Sequence, residues 1–360
     1  RDRSVSRGLG DVYKRQVLYR FGRSFFIRLR PGFFYILLYI VVTCAAADKG
    51  SEVMLDFRME TFLTVCQCMN FTRASEKLNI TQPAVSQHIH FLERHYNTKL
   101  FRYEGKKLKL TGAGEILRNA SLTMMHDEIS MQNQMQKSEK EEEIRFGATR
   151  TVGDVLMGKM LERYLRAYPD AKICMIVENT QELLKRLDEG TIDFALVEGF
   201  FQKNEYDHQK YSDENYIAVC APDYVFCGQQ GDASRRLQDE VKSGEPVAVE
   251  NLFHERLLVR EEGSGTREVL ERCLDAQNLS IRDFGKVMEV GSLQTIKELT
   301  KAGCGITFLY ETAVKEELKS GTLKRIALSG LDISHEFNFI WRRGSIYADR
   351  YKELFRRFSS

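Results

Sequence analysis

The stretch from Phe57 to Leu110 constrains the fold most, because three short helical patterns follow one another there with almost no chain between them. From Asp56, the apolar positions Phe57, Phe62, Leu63, Val65, Cys66 and Met69 make one helical face, which Asn70 can close. A second helix is expected from Thr72, a good N-cap residue, through Ala74, Ser75 and Leu78. Asn79 then tolerates the left-handed backbone of a tight turn. Thr81 caps a third helix, with Pro83 in its first turn, where a missing N–H costs nothing.

Within that third helix Val85, Ile89 and Leu92 share one face and pack inward. The opposite face presents Gln82, Ser86, Gln87, His90 and Arg94, hydrogen-bonding side chains of the kind that read base edges. A solvated helix face is the alternative. What favours base reading is the sequel, Leu100-Phe101-Arg102, a turn at Glu104-Gly105, then Lys106-Lys107-Leu108-Lys109-Leu110, which alternates as a two-stranded wing with lysines placed for phosphates.

Phe71-Thr72-Arg73-Ala74-Ser75-Glu76-Lys77-Leu78-Asn79-Ile80-Thr81-Gln82-Pro83-Ala84-Val85-Ser86-Gln87-His88-Ile89, with Leu92-Glu93, Lys99-Leu100-Phe101-Arg102 and Leu110-Thr111-x-Ala113-Gly114, resembles the signature of LysR-type transcription regulators over its whole length. The resemblance implies that Gln82, Pro83, Ser86 and the residue after Ser86 touch double-stranded DNA. Here that residue is Gln87, where the family often has Arg, which points to a different sequence preference. The expected DNA-binding set is Thr81, Gln82, Pro83, Ser86, Gln87, His90, Arg94, Lys106 and Lys107.

Charge is distributed to match. Residues 54–113 carry a net +4 and residues 114–360 a net −8, although the whole chain is only +2. A basic head on an acidic body suits a polyanion partner. Residues 1–53, at +6, read differently. Phe33 to Ala47 is an apolar run behind Arg20, Arg23, Arg28 and Arg30 that imitates a signal peptide, yet it is short for a membrane span, and no methionine precedes Met54. Residues 4–16 resemble translated adaptor DNA, so residues 1–53 are expected to be non-native and the protein to start at Met54 or Met59. An N-terminal membrane anchor is the alternative.

The expected organisation is a DNA-binding head over 54–110, a linker over 111–142 and a body over 143–360. Thr111 can cap the linker helix, in which Leu117, Met124 and Met131 recur every seven residues with Ala113 and Ala120 between them. Such a seam suits a partner helix or packing on the protein's own body. The resemblance implies the former, with homo-oligomers, dimer or tetramer, bringing two heads to one DNA. The polar run Gln132 to Glu143 reads as a hinge.

In the body, short apolar runs (Ile173 to Val177, Phe194 to Val197, Ile217 to Cys220, Leu257 to Val259, Val287 to Val290, Ile306 to Leu309, Phe337 to Trp341) alternate with helical stretches, which implies parallel sheets flanked by helices. Tyr168-Pro169-Asp170, Leu184-x-x-Leu187-x-x-Gly190 and Ile192 to Val197 resemble the family's effector domain. The fold class is therefore an α+β winged helix-turn-helix head, a long linker helix and an α/β effector domain of two lobes resembling periplasmic solute-binding proteins. Lobe I is expected over about 143–213 and 309–360, and lobe II over about 214–308.

Arg260-Glu261-Glu262-Gly263-Ser264-Gly265-Thr266-Arg267 lies between a strand and a helix. Its glycines let backbone N–H groups, the Ser264 and Thr266 hydroxyls and a positive helix terminus converge on one anion. An ordinary turn with a Ser/Thr cap is the alternative. The resemblance sets this loop across a cleft from Thr149, Arg150 and Thr151, with Thr180 on the rim and Gly291-Ser292 nearby. The expected effector set is thus Thr149, Arg150, Thr151, Thr180, Gly263, Ser264, Gly265 and Thr266, holding a small anionic metabolite.

The eight cysteines are scattered without paired spacing, and His126, His208, His254 and His335 stand alone, so neither a metal, a cofactor nor a catalytic centre is expected. Gly303-Cys304-Gly305 reads as a helix end. The competing reading is an exported or membrane-tethered solute receptor, which has no use for a capped reading helix and a lysine wing; a cytoplasmic regulator is preferred. The Arg-Glu-x-Gly-Ser-Gly-Thr-Arg string and the Val-Glu-Gly after Leu196 look most like branches controlling sulfur assimilation or carbon fixation.

Overall fold

The computed structural model describes residues 56–135, 143–227 and 232–359. The segment 1–53 with its apolar run, Met54 and most of the expected hinge lie outside the described residues. Among the described residues no helix is long and apolar enough to cross a membrane.

In the head, α1 (Phe57–Cys68), α2 (Phe71–Leu78) and α3 (Gln82–His95) precede an antiparallel wing of β1 (Phe101–Glu104) and β2 (Lys107–Leu110). Phe62, Val65, Ala74, Val85, Ile89 and Leu100 are buried together at their centre, each large side chain contributing roughly 1.5–3 kcal/mol by leaving water. Left-handed Asn79 (φ 54°) makes the turn before α3 as expected. The first turn differs from expectation. Met69 (φ 45°) closes α1, and Asn70 opens α2, its Oδ1 accepting from the N–H groups of Thr72 (2.8 Å) and Arg73 (3.0 Å). Thr72 is therefore inside the first turn, because an Asx side chain two residues earlier already satisfies its donor.

The wing is tied to α3 by Glu93, whose carboxylate accepts from the Leu100 N–H (3.1 Å) and pairs with Lys99 (2.6 Å). Thr111 Oγ1 accepts from the Gly114 N–H at 3.0 Å and starts α4 (Gly112–Met135). Its 24 residues span roughly 36 Å.

The body contains β3 (Glu143–Thr149), α5 (Gly158–Ala167), β4 (Lys172–Glu178), α6 (Thr180–Asp188), β5 (Phe194–Val197), β6 (Tyr206–Cys220), α7 (Asp232–Ser243), β7 (Arg256–Val259), α8 (Gly265–Asp275), β8 (Lys286–Glu289), α9 (Leu293–Lys301), β9 (Ile306–Tyr310), α10 (Lys315–Ser320), β10 (Lys324–Ile326), β11 (Ile333–Arg342) and α11 (Ala348–Ser359). Strands β4-β3-β5 are parallel, as are β8-β7-β9. The expectation of parallel sheets holds within each group and fails between them. Long β6 leaves the first group for the second and β11 returns, so β11 runs antiparallel to both β5 and β6, and β6 runs antiparallel to β9. Strand β10 pairs with the far end of β6, Ala218 to Cys220. The part of 309–360 before Ile333 thus joins the strands of lobe II, and the return crossing to lobe I is made by β11.

One face of α4 packs on lobe I through polar groups. His126 Nε2 donates to the Ile192 carbonyl (3.1 Å), Ser130 Oγ donates to Asp193 (3.1 Å), and Asp127 accepts from Ser345 Oγ (2.5 Å) and the Ile346 N–H (2.9 Å). Arg118 pairs with Glu205. The other face leaves Ile116, Met124, Met131 and Met135 exposed. Of the two alternatives for this helix, packing on the protein's own body is thus seen, along one face.

Candidate DNA-reading surface and effector cleft

The α3 geometry follows from its cap. Thr81 Oγ1 accepts from the Ala84 N–H, which fixes where the helix begins and so which residues point outward. Val85, Ile89 and Leu92 are buried, whereas Thr81, Gln82, Pro83, Gln87, His90 and Arg94 are exposed and Ser86 is half-buried. Gln82 Nε2 donates to Ser86 Oγ at 3.2 Å, a pair one helical turn apart. Lys106 and Lys107 are exposed at the tip of the wing, beyond Gly105 (φ 62°). Amides and hydroxyls lie on the helix and ammonium groups on the wing, the arrangement that base edges flanked by phosphates require.

In the body, the carboxyl ends of β3, β4, β5 and β7 point to one place, the usual position of a ligand in an α/β fold. Thr149 ends β3 and Thr151 follows it, Thr180 follows β4, Glu198 and Gly199 follow β5, and Arg260 to Thr266 follow β7. The lobes touch here. Thr151 and Thr266 share a hydrogen bond of 3.0 Å between their hydroxyls, and Thr266 Oγ1 donates to Glu198 Oε1 at 3.1 Å. A Cβ on Gly265 would lie 2.5 Å from the Gly199 Cα and 2.8 Å from Thr180 Oγ1, so only glycine lets the segments approach this closely.

Several buried polar atoms in this region lack a partner: Thr149 Oγ1, Thr180 Oγ1, Ser264 Oγ, Glu198 Oε2 and Arg260 Nη1. Each belongs to a residue that is at most 2% exposed. Buried polar groups are ordinarily paired, so a cluster of unpaired ones marks a place prepared for something else. Ser264 stands at the N-terminus of α8 yet makes no capping bond, which removes the ordinary Ser-cap explanation of the loop. Gly263 (φ 84°) supplies the left-handed turn that brings the loop round.

Arg150 behaves differently from the hydroxyls. Its Nη1 donates to the Gly291 carbonyl (2.5 Å) and its guanidinium lies 3.5 Å from Glu261, so it straps one lobe to the other. Glu261 also holds Arg260 through Nε (2.9 Å) and Nη2 (3.1 Å). Glu198 is not legible as a site residue in the sequence, where it is one acidic residue after an apolar strand; only the strand order brings it against Thr266. Burial pushes its carboxyl above the usual range, against the pull of Arg260, Thr266 and Thr151. Tyr216 donates to the Thr266 carbonyl at 2.9 Å and completes the wall.

Among the cysteines, burial pushes the Cys66 and Cys220 thiols up to about 12, so both are inert packing groups at neutral pH. Gly303 (φ 71°) ends a helix, as expected. Among the described residues no group of three or more His, Cys, Asp or Glu is placed to hold a metal ion.

Residues 57–115 match the family described as bacterial regulatory helix-turn-helix protein, lysR family, and residues 137–358 match the LysR substrate binding domain. The HTH-type transcriptional regulator CysL of Bacillus subtilis is 25% identical over 78% of this chain and 89% of its own length. The probable RuBisCO transcriptional regulator of Thalassiosira pseudonana is 22% identical over 79% and 90%. Among solved structures, full-length LysG from Corynebacterium glutamicum with bound effector Arg is 19% identical, with a TM-score of 0.51 over 85% of this chain and 98% of that one. That likeness extends to the fold.

Proposed function

Because the chain belongs to the LysR family of transcription regulators, we propose that its head reads double-stranded DNA through the outward face of α3 and the wing lysines, under the control of a small metabolite held between the two lobes. The observation that carries the second half is the cluster of unpaired buried atoms from both lobes, Thr149 and Thr180 on one side and Ser264 and Arg260 on the other. Hydroxyls, a free guanidinium N–H and the first turn of α8 are all donors, so the ligand presents an anionic group to them. The reading puts the protein in the cytoplasm, where its DNA is, and assigns it no catalytic step. The names of CysL and of the RuBisCO regulators support sulfur or carbon assimilation as the process controlled.

A thermal-shift screen of sulfate, phosphate, small carboxylates and amino acids on the full chain tests the sensor. A compound that stabilises the protein should lose about 1–3 kcal/mol of binding for each hydrogen bond removed by Ser264→Ala combined with Thr180→Ala, while DNA affinity without it stays near wild type. Equal affinity in the double variant would place the sensor elsewhere.

A further inference from the structure

The cleft holds an acceptor that an anion alone would leave unanswered. Glu198 is 1% exposed, its Oε1 is taken by Thr266, and its Oε2 has no partner. Arg260 is already held twice by Glu261, through Nε and Nη2, and keeps its Nη1 group, with two N–H donors, unpaired. Resting on the cleft reading above, we propose that the ligand is of the amino-acid class: its ammonium donates to Glu198, and its carboxylate accepts from Arg260 and the Thr149, Thr180 and Ser264 hydroxyls.

Charge accounting separates this ligand from a bare anion. Arg150 and Arg260 both lie on Glu261, and Arg260 also pulls on the buried Glu198, so two cations already answer two carboxyl groups before anything binds. A sulfate or dicarboxylate would bury added negative charge beside the Glu198 carboxylate, and an unpaired buried charge is costly. A zwitterion adds no net charge and satisfies the lone acceptor together with the lone donors. The lobes meet through Thr151, Thr266, Gly199 and Gly265, which leaves little room and favours a ligand with its two polar ends close together.

The test is calorimetry and thermal shift on the full chain with the twenty proteinogenic amino acids, lactate, succinate, sulfate and phosphate. At least one amino acid should bind more tightly than every amine-free compound, and Glu198→Gln should weaken it tenfold or more while improving the amine-free anions. Glu198→Asp keeps the charge and should keep the preference, which guards against a general packing defect in the first variant. Amine-free compounds binding as well as the best amino acid, no amino acid binding, or an unchanged preference in Glu198→Gln would each overturn the proposal. Loss of sulfate or succinate binding in Ser264→Ala would then leave the cleft standing and remove only the amino-acid class; binding indifferent to both Ser264→Ala and Glu198→Gln would remove both.

Discussion

Asp127, on the linker helix, accepts from the Ser345 hydroxyl at 2.5 Å and the Ile346 N–H at 2.9 Å, although more than two hundred residues separate them. This joint fixes the helix that carries the head onto the lobe that carries half of the sensor. Burial would raise the Asp127 carboxyl, but the hydrogen bonds from His126, Ser345 and Ile346 outweigh it and hold it below the usual value. A lowered native pKa contributes stability that is present above the unfolded value of about 3.9 and is lost as pH falls through the lowered one. The melting temperature should therefore fall steeply below about pH 4 in wild type and less steeply in Asp127→Ala. At pH 7 that variant should be less stable by about 1–3 kcal/mol, because it leaves buried donors unpaired; denaturant titration measures both.

Gly265→Ala is expected to prevent the lobes from meeting. Its Cβ would press on the backbone of Gly199, which cannot swing aside as a side chain can. Affinity for the ligand found in the screen should drop at least tenfold, and small-angle scattering should report a wider body. An unchanged affinity would show that the contact is not part of the bound state.

Met124 and Met131 lie seven residues apart on the free face of α4, 55% and 39% exposed. Replacing both with Glu should leave the melting temperature of the body nearly unchanged and shift the protein toward monomers in light scattering, since a charged seam opposes a partner helix. Retention of the wild-type mass would assign self-association to another surface.

Much of the head was legible because its determinants are local. The 3.6-residue period of Val85, Ile89 and Leu92, the Thr81 cap and the Asn79 turn act within a few residues of one another, and all appear as read. The cap of the second helix is not legible in the same way, because Asn70 and Thr72 are both good cap residues and only the fold decides that Asn70 is used. The body was legible as alternating strands and helices. The antiparallel course of β6 and β11 was not, since strand direction depends on partners more than a hundred residues away. For the same reason Ser264 and Thr266 could be nominated from their own loop, whereas Glu198 acquires its meaning only from Thr266 across the cleft.

Gln82→Ala and Ser86→Ala should alter which bases are preferred, each lost contact costing about 1–3 kcal/mol at its position. Lys107→Ala should instead weaken all duplexes alike and reduce the slope of log affinity against log salt by about one. Anisotropy titrations at several salt concentrations separate the two effects.

The central claim, a sequence-specific DNA reader, is tested most directly by selection from a random duplex pool with the full chain, followed by titration of the enriched sequence. Enrichment of a two-part site with its halves spaced by about one helical turn of DNA or a multiple of it, bound at least a thousandfold more tightly than random duplex by wild type and not by a Gln82→Ala, Ser86→Ala double variant, is the predicted result. A pool that remains random after repeated rounds, or an enriched site that the double variant binds equally well, would contradict it.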